Sequence, residues 1–220
     1  MISTRAEVLT RRTYNRPLDA SGTHFETWDH NIDRVLRHQE WLWTRQLGRA
    51  INLEEDRELL ELGLLMRKRK ALVAGRTLWL GGTPTAERRE ISQFNCAFTN
   101  LETVHDAVDL MWLLLNGAGV GFKPVMGTLS GFTKYIPHIE VVRSTRTEKG
   151  GREENVETWN ADRKTWTIVL GDSGEAWAKA IGKLLAGKYP ADTLVLDMSA
   201  IRGAGNRLSG YGWISDGDNV

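Results

Sequence analysis

The stretch from Thr165 to Ser199 narrows the possible folds more than any other. "TWTIVL" (165–170) is rich in β-branched and aromatic residues, "SGEAWAKAIGKLLAG" (173–187) spaces its apolar residues at helical intervals, and "TLVLDMS" (193–199) returns to strand composition. A strand, a helix and a strand in close succession build a parallel pair with a right-handed crossover. Asp172 or Ser173 is placed to cap the helix and Gly187 to end it. An earlier stretch repeats the order: "ISQFNCAF" (91–98) reads as a buried strand, "ETVHDAVDLMWLLLNG" (102–117) as a helix, and "GVGFKPV" (119–125) as the opening of another strand. "HIEVV" (138–142) is a further short strand, and "RTEKGGREENVET" (146–158) reads as an exposed loop.

The first ninety residues have a different pattern. Residues 1–28 are polar and read as an irregular arm. From Asp29, the positions Ile32, Val35, Leu36, Leu42, Trp43 and Leu47 recur at helical steps. A second helix is expected from about Glu54 to Ala74, with acids at its start, bases at its end and Gly75 as terminator. The expected class is therefore α/β: a helical segment over 1–90, then strand–helix units over 91–220. The last twenty residues carry five glycines and no periodicity. A sheet that stops there leaves a strand edge unpaired.

Composition excludes several classes. The 220 residues carry 29 basic and 28 acidic side chains, which gives no general pull toward nucleic acid or a membrane. "RKRK" (67–70) reads as a solvated face. The longest apolar run, "LMWLLLNGAGVGF" (110–122), is too short to span a bilayer, and "MISTRAEVLT" holds no apolar core of signal-peptide length. The expectation is a soluble, cytoplasmic protein. One cysteine excludes a disulfide scaffold, and the five histidines show no metal-ligand spacing.

Four segments invite a functional reading. "NGAGVGF" (116–122) follows a helix, so it is not a dinucleotide fingerprint; it is either a helix-to-strand turn or a contact for a nucleotide or sugar. "LGGTPT" (80–85) offers the hydroxyls of Thr83 and Thr85 and backbone N–H groups to an anion, or is a plain turn. "GDSGEAW" (171–177) is explained by helix capping. Cys96 is either a small buried hydrophobe or one half of a redox pair whose other half lies on another chain.

Taken in order, "RRTYNRPL", "GRTLWLGGT", "FNCAF", "NGAGVGF", "GDSGEAW" and "IRGAGNRLSGYGWISDGD" resemble the adenosylcobalamin-dependent (class II) ribonucleotide reductases, in particular the monomeric triphosphate-reducing branch. The resemblance runs over nearly the whole chain. It implies helices followed by the first half of a ten-stranded α/β barrel, incomplete at its C-terminal end. It implies that Cys96 is one of two cysteines that supply reducing equivalents to the substrate, and that Thr83, Asn95, Ala118 and Gly119 surround the substrate's phosphate and ribose. The implied cofactor is adenosylcobalamin, bound mainly by a C-terminal part. The implied partners are that C-terminal half with the remaining cysteines, a ribonucleotide, a nucleotide effector and an external dithiol.

The sequence departs from the family pattern in two ways. It has one cysteine where the family uses three in the barrel, and "SDGD" stands where the family tends to Ser-Ser-Gly-Pro. The expected function is the N-terminal part of a split or truncated reductase, inactive without its C-terminal partner. The alternative is a non-catalytic nucleotide-binding or regulatory module built on the same half-barrel.

Overall fold

The computed structural model describes residues 3–19, 21–148, 150–208 and 210–218. It divides into two compact units, Met1–Phe94 with Ser209–Gly212, and Asn95–Leu208 with Trp213–Val220. No helix among the described residues is long and apolar enough to cross a membrane.

The first unit is helical. The expected irregular arm opens with a helix, α1 (Thr4–Thr13). Its apolar Val8 and Leu9 face solvent, so it has no apolar stripe for periodicity to detect. The helix rests on end effects instead: Ser3 accepts the Ala6 N–H, Glu7 sits in the first turn, and Arg11 and Arg12 sit in the last.

Thr27 caps α2 (Trp28–Leu47), and Gly48 ends it at φ 65. Ile32 and Val35 are buried against Met66 and Leu78, with Leu36 packed on the same cluster. Leu42 and Trp43 are half-buried and Leu47 is exposed, so the apolar stripe meets the core only in its first half.

Helix α3 (Leu53–Arg67) begins with a capping box between Asn52 and Glu55. It stops seven residues before the expected end at Ala74, because Arg69 turns to φ 55. The Arg69 guanidinium lies 4.0 Å from the Trp28 ring centroid and donates to Thr10 Oγ1. These contacts override a run of good helix formers. Gly75 opens α4 (Gly75–Leu80) and does not terminate α3.

Behind α4 and α5 (Pro84–Arg88) the buried Arg34 gives Nε and Nη2 to the Glu26 carboxylate. Nη2 also donates to the Leu78 carbonyl, and Nη1 donates to the Gly81 carbonyl. The turn around it needs Gly82, whose φ is 72; a Cβ there would lie 2.6 Å from the Arg34 carbonyl oxygen.

His38 is 3% exposed and stacks on Trp41, and its Nε2 lies 3.0 Å from the Gln93 amide. Burial lowers its pKa from 6.5; Arg34 adds to the shift, and Glu87 and Glu90 oppose it. The unfolded chain therefore binds the proton more tightly than the folded one. Stability contributed by neutral His38 is present above pH 6.5 and is lost as pH falls below it. The denaturant midpoint is expected to climb as pH rises toward 6.5, and His38→Gln is expected to flatten that climb. An unchanged slope in the variant would place the dependence elsewhere.

In the second unit, β1 (Cys96–Leu101) and β2 (Gly119–Pro124) pair in parallel and are joined by α6 (Val104–Leu115), which Thr103 caps. The first strand starts at Cys96 and not at Ile91, because Glu90–Gln93 forms a 3-10 turn. The other strands form a four-stranded sheet in the order β3 (His138–Val142), β6 (Thr193–Asp197), β5 (Thr165–Val169), β4 (Val156–Asn160). The first three are parallel, and β4 runs antiparallel to β5.

The expected strand–helix–strand unit is present as β5, α7 (Gly174–Ala186) and β6. Ser173 caps α7, and Gly187 ends it at φ 64. Trp166, Ile168 and Leu194 form the core with Ala180 of α7. Gly182 lets α7 approach α6; a Cβ there would lie 2.5 Å from Val108 Cγ2.

One more expectation needs correction. The loop expected over 146–158 ends at Asn155, because 156–158 belong to β4. There Glu157 pairs with Lys183 and Lys188, and Trp159 stacks on Tyr189 at 5.1 Å. The described strands form a two-stranded and a four-stranded sheet. The architecture is mixed α/β, as expected.

Candidate functional site

In the parallel register of β1 and β2, Cys96 pairs with Gly119, Phe98 with Gly121 and Asn100 with Lys123. Side chains alternate across a strand, so these six residues share one face. Cys96, Phe98 and Asn100 are exposed, whereas Ala97, Thr99 and Leu101 on the other face are half-buried. The expectation of a buried cysteine is thus corrected: Cys96 stands first in its strand, on the open face. A reading of composition cannot see this, because the segment is apolar on both faces.

Glycine opposite the thiol leaves room beside it. A Cβ at Gly119 would meet only the Asn95 carbonyl oxygen, at 3.7 Å. One pair further along, the Phe98 ring lies over Gly121, 3.1 Å from where a Cβ would stand. The open space therefore lies over Gly119, with Cys96 opposite it and the Phe98 ring covering the next glycine.

The turn that leads into β2 is rigid. Gly117 has φ 86 and its N–H donates to Leu114 O, the Ala118 N–H donates to Leu113 O, and the Gly119 N–H donates to Asn95 O at 2.8 Å. Ala118 is 3% exposed, so its side chain is packing and only its backbone borders the face.

Asn95, Cys96, Ala118 and Gly119 thus lie together at the start of β1 and β2. Thr83 belongs to the first unit. It is buried, donates to Leu80 O at 2.6 Å and accepts the Ala86 N–H as the cap of α5. Phe98 and Gly121 were not singled out from the sequence; their spacing of two from Cys96 and Gly119 was the available signal.

At the C-terminal ends of β5 and β6 lies a buried ion pair. Arg202 Nε is 2.8 and 3.0 Å from the two oxygens of Asp172. The side chains are 19% and 6% exposed. Asp172, expected as a possible cap, therefore anchors the segment after β6, and Ser173 alone caps α7. Arg202→Met strands a buried carboxylate and is expected to cost about 3–5 kcal/mol, read as a fall in the urea midpoint. A fall below about 1 kcal/mol would show that water reaches Asp172.

No group of three or more His, Cys, Asp or Glu residues among the described residues is arranged to hold a metal ion.

No family model matches the chain. A protein of Mycobacterium phage D29, provisionally named an adenosylcobalamin-dependent ribonucleoside-triphosphate reductase, is 28% identical over 96% of this chain and 30% of its own length. The adenosylcobalamin-dependent ribonucleoside-triphosphate reductase of Lactobacillus acidophilus is 26% identical over 96% of this chain and 34% of its own. This chain resembles the adenosylcobalamin-dependent ribonucleoside-triphosphate reductases. The crystal structure of a B12-dependent (class II) ribonucleotide reductase shares the fold, with a TM-score of 0.70 and 24% identity over 96% of this chain and 34% of that one. The match is to the N-terminal portion of these reductases, as the ordered motifs implied. The chain spans about a third of the length of the curated relatives it matches.

Proposed function

We propose that this chain is the N-terminal part of a ribonucleotide reductase and acts with a polypeptide that supplies the remaining two thirds. The observation that carries this reading is the exposed thiol of Cys96 beside the glycine-lined space, in a chain similar to reductases along 96% of its length. On this reading residues 1–90 are a helical lead-in and 91–220 contribute the first strands of an α/β barrel.

The reaction fits one thiol from this chain. A ribonucleotide and two thiols give a deoxyribonucleotide, water and one disulfide: the 2′-hydroxyl leaves as water, hydrogen replaces it, and the two sulfurs are oxidised. Cys96 supplies one thiol, and the partner polypeptide supplies the other. An external dithiol then reduces the disulfide. The bare backbone of Gly119 lets the ribose approach Sγ, with Asn95 and Ala118 bordering its phosphate side. A nucleotide effector is expected to act on the assembled enzyme.

Adenosylcobalamin, when bound, supplies the radical that starts the reaction. Its binding falls mainly to the partner polypeptide, as the resemblance implies. The test is reconstitution, with deoxyribonucleotide measured for each polypeptide alone and for the two together. Failure of the pair, together with nucleotide binding by this chain, would favour a non-catalytic nucleotide-binding module.

A further inference from the structure

The open face of β1 and β2 changes character in three steps along the strands. Cys96 and Gly119 come first, Phe98 and Gly121 second, Asn100 and Lys123 third. Neighbours on one face of a strand stand about 7 Å apart. The middle step holds a phenylalanine that is 66% exposed. Its ring approaches Gly121 by one edge only. A Cβ at Gly121 would lie 3.1 Å from Cδ2 and 3.7 Å from Cε2, and no other ring atom comes within 4 Å of it. Phe98 stacks on no other aromatic side chain among the described residues.

We propose, on the reading that Cys96 is a reductant of a ribonucleotide, that Phe98 is the platform on which the substrate's base stacks. On that reading the ribose sits over Gly119, and its phosphate side points back toward Asn95 and Ala118, where the strands begin. A nucleotide carries its phosphate at C5′ and its base at C1′, on opposite sides of the ribose. With the phosphate at the strand starts, the base is directed along the strands, toward the second step. One step of about 7 Å is within the reach of a base from its own sugar.

The second step suits a base in two respects. A phenyl ring offers a π-face, and every base stacks on one. Gly121, paired with Phe98, carries no side chain to compete for the space beside the ring. The third step, with the exposed polar pair Asn100 and Lys123, ends the apolar stretch, so the platform is one ring long. Stacking of this kind tolerates any base, so Phe98 contributes affinity and does not choose between bases.

The test uses the two polypeptides of the proposed enzyme together. Ribonucleotide binding is measured by equilibrium dialysis with Cys96→Ser in place, so that the substrate stays unreacted, and KM is measured with Cys96 present. Phe98→Leu keeps an apolar side chain and removes the π-face. It is expected to weaken binding and raise KM about tenfold, for purine and pyrimidine ribonucleotides alike, at an unchanged melting temperature of the pair. Phe98→Trp, which keeps a π-face, is expected to bind as the wild type does.

Unchanged binding and KM in Phe98→Leu, while the wild-type pair forms product, would overturn the proposal and leave the reductase reading intact. A loss confined to one base would also overturn it, since that marks hydrogen bonding at a base edge. So would a lowered melting temperature, or a loss that Phe98→Trp shares, since either marks packing against the partner polypeptide. A wild-type pair that neither binds ribonucleotide nor forms product would overturn the reductase reading and this inference with it.

Discussion

Purified alone, this chain is expected to form no deoxyribonucleotide from any ribonucleotide, with or without adenosylcobalamin. The reason is stoichiometric. Reduction of one ribose consumes two thiols, and this chain holds one cysteine. The same thiol cannot start the reaction as a radical and also serve as half of the reductant. Adding a polypeptide that covers the remaining two thirds of the relatives' length is expected to turn activity on, dependent on adenosylcobalamin and a dithiol. The open faces of this chain favour such assembly. Every position of β3 is exposed, with Ile139, Val141 and Val142 between 42% and 48%. Parallel strands are ordinarily covered on both faces, so these residues gain from burial against a partner. Measuring deoxynucleotide with each polypeptide alone and with both decides the matter, and product from this chain alone would end the proposal.

In the assembled enzyme, Cys96→Ser is expected to abolish multiple turnover and leave the fold intact. Cys96 is exposed, so the hydroxyl that replaces the thiol meets water and leaves no cavity. The stability change is expected to stay within about 0.5 kcal/mol, as for most surface substitutions. Loss of activity at unchanged melting temperature separates a reductant from a packing residue. If turnover is unchanged, the redox role is wrong. If stability falls by more than about 1 kcal/mol, Cys96 is a packing residue in the assembly.

Much of the fold could be read from the chain because the signals were local. Helices α2, α6 and α7 each carry a capping residue, Thr27, Thr103 and Ser173, next to an apolar repeat. Strands β5 and β6 carry β-branched and aromatic runs on either side of α7, and a crossover of that length admits one handedness. The glycine segment 116–122 was legible as a turn into a strand. Its value to the site was open until the register placed Gly119 opposite Cys96.

Other features depend on distant partners and had no local sign. Helix α1 lacks an apolar stripe. The end of α3 is set by Arg69 reaching Trp28 and Thr10, residues far away in the chain. Strand β4 sits in a charged stretch that reads as loop and is held by Lys183, Lys188 and Tyr189. Asp172 resembles a helix cap until Arg202 is seen beside it.

The sequence by itself determined the α/β class, the main helices, the parallel pairing of β5 with β6, and the likeness to the reductases, because caps, periodicity and ordered motifs are properties of neighbouring residues. Only the tertiary structure decided which face of β1 is covered, and therefore that Cys96 is exposed beside a glycine and not buried. Burial is set by what packs on a strand, and α6 takes only one side of this one.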